Sequence, residues 1–312
     1  MSTADQTPTS APGGSSTGTG ARKVARIVAS TSTLEGGGFP VNRPFPGPEL
    51  DVLDPFLLLD EMAPVEVPPG EAVGAPAHPH RGFETVTYIL QGEVEHRDSA
   101  GNHGIIGPGD VQWMTAGDGI IHSEMPSERV QTEGGVGHGL QLWVNLPAHL
   151  RRTAPSYQAL TADRIPVARG DGWAAHVVAG SMLGVEGPAR THTPIGYARV
   201  TVQPGATVRI PAPEGHTAAV YAFTGRGELG PDRVRLEPNH LAVFEPSGGD
   251  LELTVGANAA DALDCLVLTG EPIGEPIARY GPFVMNTKEE IAEAIDDFNA
   301  GRMGTIAATG TL

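Results

Sequence analysis

Two short motifs in this chain each place two metal-binding side chains two residues apart. The first is His78-Pro79-His80 and the second is His122-Ser123-Glu124. Residues i and i+2 of a strand point to the same face, because side chains alternate along it. Two such strands side by side would therefore direct three imidazoles and one carboxylate at a single point. This donor set, with coordination positions left free, suits a mononuclear first-row transition metal, and we predict Fe(II), although other divalent first-row metals also suit it.

A second carboxylate competes for the oxygen position. Glu84 lies four residues after His80 and would share its face on a regular strand. We favour Glu124 because it stands two residues from His122. Glu84 would then support the ligands without binding the metal, or would pair with Arg81. We interpret five other histidines as surface, hydrogen-bonded or structural residues: His96, His103, His138, His216 and His240. The acidic pair Asp60-Glu61 follows an apolar run and could face the pocket, but we favour a solvated loop.

The rest of the sequence favours strands as the elements that position these side chains. Its 42 glycines and 28 prolines separate many short segments rich in Val, Ile, Thr and Leu, a pattern typical of sandwiches and barrels. One helix is predicted near the end, where Thr287 and Glu290 form a capping box. Its apolar stripe has helical spacing and consists of Ile291, Ala294, Ile295 and Phe298. The helix should pack against the β scaffold and end at Gly301.

Composition and charge argue against several functions. The formal net charge is −17 and no dense basic block exists, which argues against direct nucleic-acid binding. No apolar run reaches the length of about 18 residues that a membrane span needs. The single cysteine, Cys265, rules out an intramolecular disulfide framework and lies in an apolar run that predicts burial. Residues 1–21 form a Ser/Thr/Gly/Pro-rich tail without an apolar signal segment, so we predict disorder there and a cytoplasmic protein.

The second half of the sequence repeats features of the first. The segment Tyr88–Gly92 resembles Tyr221–Gly225, and Pro108–Val111 resembles Pro238–Leu241 at nearly the same spacing. Such self-similarity indicates a duplicated β unit. On this alignment His78 and His80 correspond to Pro211 and Pro213. His122 and Glu124 correspond to Glu252 and Thr254. We predict a metal-binding domain at 22–147, a linker at 148–165, a second domain without metal ligands at 166–285 and the helix at 286–302.

Several segments make the chain resemble the pirins, which are bicupins of the cupin superfamily. The matching segments are Leu53–Leu58, His78–Tyr88, Gly107–Gly117, Gly119–Pro126, His138–Leu146 and Gly281–Thr287. The resemblance implies an all-β fold of two cupin β-barrel domains with iron in the first. It also implies that His78, His80, His122 and Glu124 are the ligands, the same set that the motifs indicate.

The resemblance implies two functions from different classes. The first is a flavonol (quercetin) 2,3-dioxygenase that opens the heterocycle with O2 and releases carbon monoxide. Glu124 would be the general base, and a small aromatic substrate would need an apolar slot. Side chains that could line this slot are Phe56, Phe83, Trp113, Met114, Met125 and Trp143. The alternative is an iron- or redox-sensitive regulator that binds a metabolic enzyme or a transcription factor. An open apolar mouth over the metal ligands favours the enzyme, and a plugged one favours the regulator.

Overall fold

The computed structural model describes residues 20–306, so that most of the predicted tail lies outside the described residues. Strands dominate both halves of the chain. In the first half they are β1 (Val24–Ala29), β2 (Thr31–Glu35), β3 (Phe39–Phe45), β4 (Phe56–Val67), β5 (Ala75–His80), β6 (Phe83–Gln91), β7 (Val94–Asp98), β8 (His103–Ile106), β9 (Val111–Thr115), β10 (Ile120–Pro126), β11 (Gly135–Asn145) and β12 (Ser156–Leu160).

In the second half the strands are β13 (Val167–Gly170), β14 (Trp173–Ala179), β15 (Ser181–Met182), β16 (Val185–Glu186), β17 (Ile195–Val202), β18 (Thr207–Ile210), β19 (Thr217–Thr224), β20 (Gly227–Leu229), β21 (Val234–Leu236), β22 (His240–Phe244), β23 (Leu251–Thr254), β24 (Leu263–Gly270), β25 (Ala278–Tyr280) and β26 (Phe283–Met285). Two α-helices accompany them, α1 (Glu128–Glu133) and α2 (Lys288–Asn299).

Each half is built around a seven-stranded sheet and a four-stranded sheet, and β15-β16 and β25-β26 form two small two-stranded sheets. The first half has the orders β12-β9-β6-β11-β4-β3-β2 and β5-β10-β7-β8. The second half has β1-β22-β19-β24-β17-β14-β13 and β18-β23-β20-β21. The predicted repeat is visible in the register, since Tyr88 pairs with Val111 in the first half and Tyr221 pairs with Leu241 in the second. The predicted all-β architecture of two similar domains is therefore confirmed.

Three segments depart from the predicted order along the chain. Strand β1 belongs to the predicted first domain but pairs with β22 in the sheet of the second. Strand β12 lies in the predicted linker, yet it forms the edge of the first large sheet. The segment 36–48, which its glycines and prolines suggest is a loop, contains β3. Strand exchange between domains depends on long-range pairing, which local composition does not reveal.

The two large sheets pack against each other through a shared apolar core. Val86, Trp113 and Leu142 of the first half contact a cluster that includes Tyr197 and Leu268 of the second. Polar groups also cross this interface: the Tyr221 hydroxyl donates to Glu61 Oε2 at 2.7 Å. Asp60 and Glu61 are therefore buried residues of β4, and their interpretation as part of a solvated loop is wrong. Asp60 is paired with Arg43 of β3, and Glu61 accepts a hydrogen bond from Tyr221 of the second domain, so both buried acids have the partners that burial requires.

The predicted C-terminal helix is confirmed as α2. Thr287 and Glu290 form the capping box, and Ile291 and Ala294 are buried against β26 and the first domain. Asp297 of α2 lies 2.7 Å from the guanidinium of Arg81, which is buried. Because Arg81 follows His80 directly, helix α2 supports the corner between β5 and β6.

That corner depends on Gly82, which has φ +89° and lies against the Val284 carbonyl. A Cβ atom at Gly82 would lie 1.8 Å from this carbonyl oxygen. We expect Gly82→Ala to destabilise the metal-free protein by more than the about 1–3 kcal/mol that backbone strain alone costs. Gly101→Ala is the matched control, because Gly101 has φ +92° but a Cβ atom there would have no atom within 4 Å. Urea unfolding of both variants measures the difference, and equal losses would contradict the packing argument.

Candidate metal centre

The two motifs lie on neighbouring antiparallel strands. His122 of β10 is opposite His78 of β5, and Ile120 is opposite His80. Alternation along each strand therefore brings the three imidazoles to one side of this sheet. One ring nitrogen from each histidine lies within 4.8 Å of those of the other two. The Nε2 atoms of His78 and His80 are 3.1 Å apart. The structure thus brings together all three histidines that the spacing predicts.

The three imidazoles have the properties of metal ligands. Nδ1 of His80 and both ring nitrogens of His122 are buried and have no hydrogen-bond partner among the described residues. Burial lowers the pKa of both histidines well below the usual value, and the neighbouring imidazoles lower it further. Neutral imidazoles offer lone pairs, and a buried group without a partner is costly unless something binds it. The donor set therefore fits a first-row transition metal.

Glu124 lies beside the imidazoles and does not join their close group. The register of β10 against β5 shifts between His122 and Glu124, because β5 has an extra residue there, whereas the pairing of β10 with β7 stays regular. The Oε1 atom of Glu124 accepts hydrogen bonds from the Thr87 hydroxyl at 2.7 Å and from Gln112 Nε2 at 3.0 Å. The carboxylate is thereby fixed on the wall of the site. Its role as a fourth ligand remains a prediction.

Glu84 is remote from this arrangement. Its Oε1 atom accepts from the Thr115 hydroxyl at 2.7 Å and lies 2.9 Å from Nδ1 of His192, a residue of the second half. This hydrogen bond to the Glu84 carboxylate raises the pKa of His192. The predicted pairing of Glu84 with Arg81 is wrong, because Arg81 binds Asp297 instead. Glycine at position 82 breaks the strand between His80 and Glu84, which is why the two do not share a face.

A cavity of about 1240 Å³ opens beside the imidazoles. His78, His80 and Glu124 line it, whereas His122 is fully buried behind them. Of the six predicted slot residues only Trp143 lines the cavity, and its ring contacts that of His80 at a centroid distance of 5.2 Å. Phe56, Phe83, Trp113 and Met114 are buried in the cores, and Met125 is on the surface. The apolar wall comes instead from Phe39, Val41, Leu57, Leu58, Met62 and Ile89.

The other histidines have varied positions. His138 is buried with Nε2 3.1 Å from Glu61 Oε1, and His103 is exposed beside Glu95. His240 contacts the Pro238 carbonyl. These three agree with surface, hydrogen-bonded or structural roles. His96 differs, since it is fully buried and its ring centroid is 5.5 Å from that of His122. His96 and Asp98 have the same i, i+2 spacing as the two motifs, and this spacing is the signal for His96 in the sequence.

The second half contains no comparable group within the described residues. The counterpart of the second motif is β23, where Glu252 is paired with the exposed Arg209. Three convergent metal-ligand side chains occur in residues 20–306 only at His78, His80 and His122. That the second half holds no metal stays a prediction.

Comparisons with known proteins agree with these features. The family model described as Pirin matches residues 38–144, and the one described as Pirin C-terminal cupin domain matches residues 197–304. Human pirin is 42% identical over 286 residues, which are 91% of this chain and 94% of that protein. A pirin-like protein from Solanum lycopersicum is 42% identical over 284 residues, or 91% of this chain and 93% of that protein.

Solved structures give the same result. The crystal structure of quercetin 2,3-dioxygenase from Acinetobacter baumannii superposes with a TM-score of 0.84 at 42% identity. The match covers 92% of this chain and 100% of that chain. No helix among the described residues is long and apolar enough to span a membrane.

Proposed function

The chain belongs to the pirin family, and from that premise we propose that it is an iron-dependent flavonol 2,3-dioxygenase. The reaction opens the heterocycle of a flavonol such as quercetin with O2 and releases carbon monoxide. The observation that supports this proposal is the cavity of about 1240 Å³ beside His78 and His80. An accessible cavity suits turnover of a small molecule, whereas a regulator needs no such opening. The similar Acinetobacter protein carries the name of this activity.

His78, His80 and His122 would hold the iron, with Glu124 as the fourth ligand or next to it. When bound, the ion would act as a Lewis acid that makes the 3-hydroxyl group of the flavonol more acidic. A bound ion would be accessible from the cavity, because His78 and His80 line it while His122 is buried. The proposed cellular compartment is the cytoplasm, where Fe(II) and the free thiol of Cys265 remain reduced.

Glu124 is the proposed general base for the 3-hydroxyl proton. The Thr87 hydroxyl and the Gln112 amide occupy Oε1, and no hydrogen bond to Oε2 exists among the described residues. A base must lie within hydrogen-bond reach of the proton that it takes. Because Glu124 lines the cavity next to the imidazoles, Oε2 is available to a hydroxyl bound there. The two donors keep the carboxylate in place before and after the proton transfer.

Apolar side chains would hold the flat ring system of the substrate. Trp143 lines the cavity beside His80, and Phe83 packs behind it at a ring-centroid distance of 4.3 Å. Leu57 and Leu58 lie on the neighbouring strand β4. An aromatic substrate gains from contact with such a surface, which also displaces water from the reacting groups.

Anaerobic reconstitution with Fe(II) followed by aerobic incubation with quercetin tests the proposal. We expect one iron per chain. Quercetin absorbance should fall, and one molecule of carbon monoxide should be released for each quercetin consumed. The metal-free protein is the control. Tightly bound iron without turnover would contradict the proposal and would favour the regulatory alternative. A pull-down with the Fe(II) form and with the Fe(III) form should then recover different amounts of the regulator's partner.

A further inference from the structure

A second pair of ionisable residues lies on the face that carries the metal-binding side chains of β10. In the pairing of β7 with β10, His96 is opposite Glu124 and Asp98 is opposite His122. Residues directly opposite each other in an antiparallel pair lie on the same face of the sheet. His96 is completely buried and Asp98 is 3% exposed. The general-base mechanism proposed above uses neither of them.

The surroundings of Asp98 fix the proton on His96. Asp98 Oδ1 accepts the backbone N–H groups of Ala100 at 3.0 Å and Asn102 at 2.9 Å. Oδ2 accepts from Asn102 Nδ2 at 2.8 Å and lies 3.2 Å from His96 Nε2. An ionised carboxylate only accepts hydrogen bonds. Nε2 of His96 therefore carries a proton, and in the neutral ring Nδ1 is an acceptor.

That acceptor has no partner, although one is close. Nδ1 of His96 is buried without a hydrogen bond among the described residues, as are both ring nitrogens of His122. The ring centroids of the two histidines are 5.5 Å apart. At this separation a nitrogen of each ring reaches hydrogen-bond distance when the two nitrogens face each other. Tyr157 stacks on His96 at 4.7 Å with an interplanar angle of 22° and limits its rotation.

We propose that His96 is a positioning residue that orients His122 for metal binding. His122 binds the ion through one ring nitrogen and donates the N–H of the other to Nδ1 of His96, while Asp98 keeps His96 in the required tautomer. Such a hydrogen bond fixes the ligand ring and makes its metal-binding nitrogen more basic. The inference rests on the metal site of the proposed function. It does not depend on the substrate.

Cobalt(II) titration of the metal-free full-length protein tests this role. His96→Phe keeps an aromatic ring next to Tyr157 but removes the acceptor. We expect it to weaken Co(II) binding by about 10–100-fold, the usual loss when a partner behind a ligand is removed, and to change the visible spectrum of the bound ion. His96→Gln retains an acceptor and should lose less. His103→Phe is the matched control, because His103 lies on β8, 54% of its side chain is exposed, and it faces away from the site toward Glu95.

Asp98→Asn provides an independent variant in case His96→Phe does not fold. Its amide can donate to His96, which shifts the proton of His96 to Nδ1 and removes the acceptor, so that Co(II) affinity should again fall. Wild-type affinity and spectrum in a folded His96→Phe or Asp98→Asn protein would overturn the inference. Because no flavonol is used, failure of quercetin turnover leaves this test intact. Weakened Co(II) binding supports the positioning role even if the catalysed reaction proves to be different.

Discussion

Replacement of Glu124 by glutamine should lower quercetin turnover by about 10²–10⁴-fold, the usual contribution of a general base. Glutamine has the shape of glutamate, and its Oε1 atom can still accept from Thr87 and Gln112. Its amide nitrogen cannot take a proton from the substrate. The loss should therefore appear in kcat, while three imidazoles continue to hold the metal. Steady-state kinetics at saturating O2, together with the iron content of each sample, measure both quantities.

The control for this variant is Glu128→Gln, which removes the same charge from an exposed residue at the start of α1. Glu128 does not line the cavity, and its turnover should match that of the wild type. If Glu124→Gln turns over quercetin at the wild-type rate with iron bound, the proton is taken elsewhere. If it loses iron, Glu124 is above all a ligand.

The second domain supplies partners for buried carboxylates of the domain that carries the three imidazoles. Two carboxylates of the first domain, Glu61 and Glu84, are almost completely buried. Tyr221 donates to one and His192 contacts the other, and both partners come from the second half of the chain. Buried carboxylates without such partners would cost several kcal/mol. The duplicated domain thus satisfies polar groups on the back of the metal-binding domain, which is a structural reason to retain it.

Short-range signals in the sequence predict the features that depend on them. The spacing of His78, His80 and His122 predicts their convergence, because alternation along a strand is a local property. Thr287 and Glu290 predict the start of α2 for the same reason. Glu124 shows the limit of this argument: its carboxylate accepts hydrogen bonds from Thr87 and Gln112 and lies outside the close group of imidazoles. Its spacing from His122 does not reveal these partners.

Features that depend on distant pairing could not be predicted in this way. The exchange of β1 into the second sheet and the hydrogen bond from Tyr221 to the buried Glu61 both depend on packing between the domains. The burial of Asp60 depends on its pairing with Arg43 of β3. The cavity wall also differs from its prediction, since large aromatic residues such as Trp113 fill the shared core instead. His96 has the same spacing to Asp98 as the ligand pairs have, but only the register of β7 against β10 gives this spacing a meaning.

Replacement of His122 by alanine should abolish stoichiometric iron binding. The loss of affinity should exceed the about 10–100-fold expected when a residue that hydrogen-bonds to a ligand is replaced. The metal-free scaffold should keep most of its stability. Both nitrogens of His122 are buried without a partner among the described residues, and an unsatisfied polar group costs about 1–3 kcal/mol. Removal of the ring removes that cost. This gain offsets part of the destabilisation by the cavity that the missing ring leaves. The variant should therefore lose only the stabilisation that added metal gives.

His138→Ala should show the opposite pattern. His138 is buried against Glu61 and is absent from the group of three imidazoles. Its loss leaves the Glu61 carboxylate with fewer partners, so the metal-free protein should be destabilised by about 1–3 kcal/mol while iron binding persists. Thermal unfolding with and without Fe(II), together with iron content, separates the two variants, because a ligand that binds only the folded state raises the melting temperature. Full iron retention in His122→Ala would show that the metal binds elsewhere, and loss of iron in His138→Ala would mean that the centre extends toward Glu61.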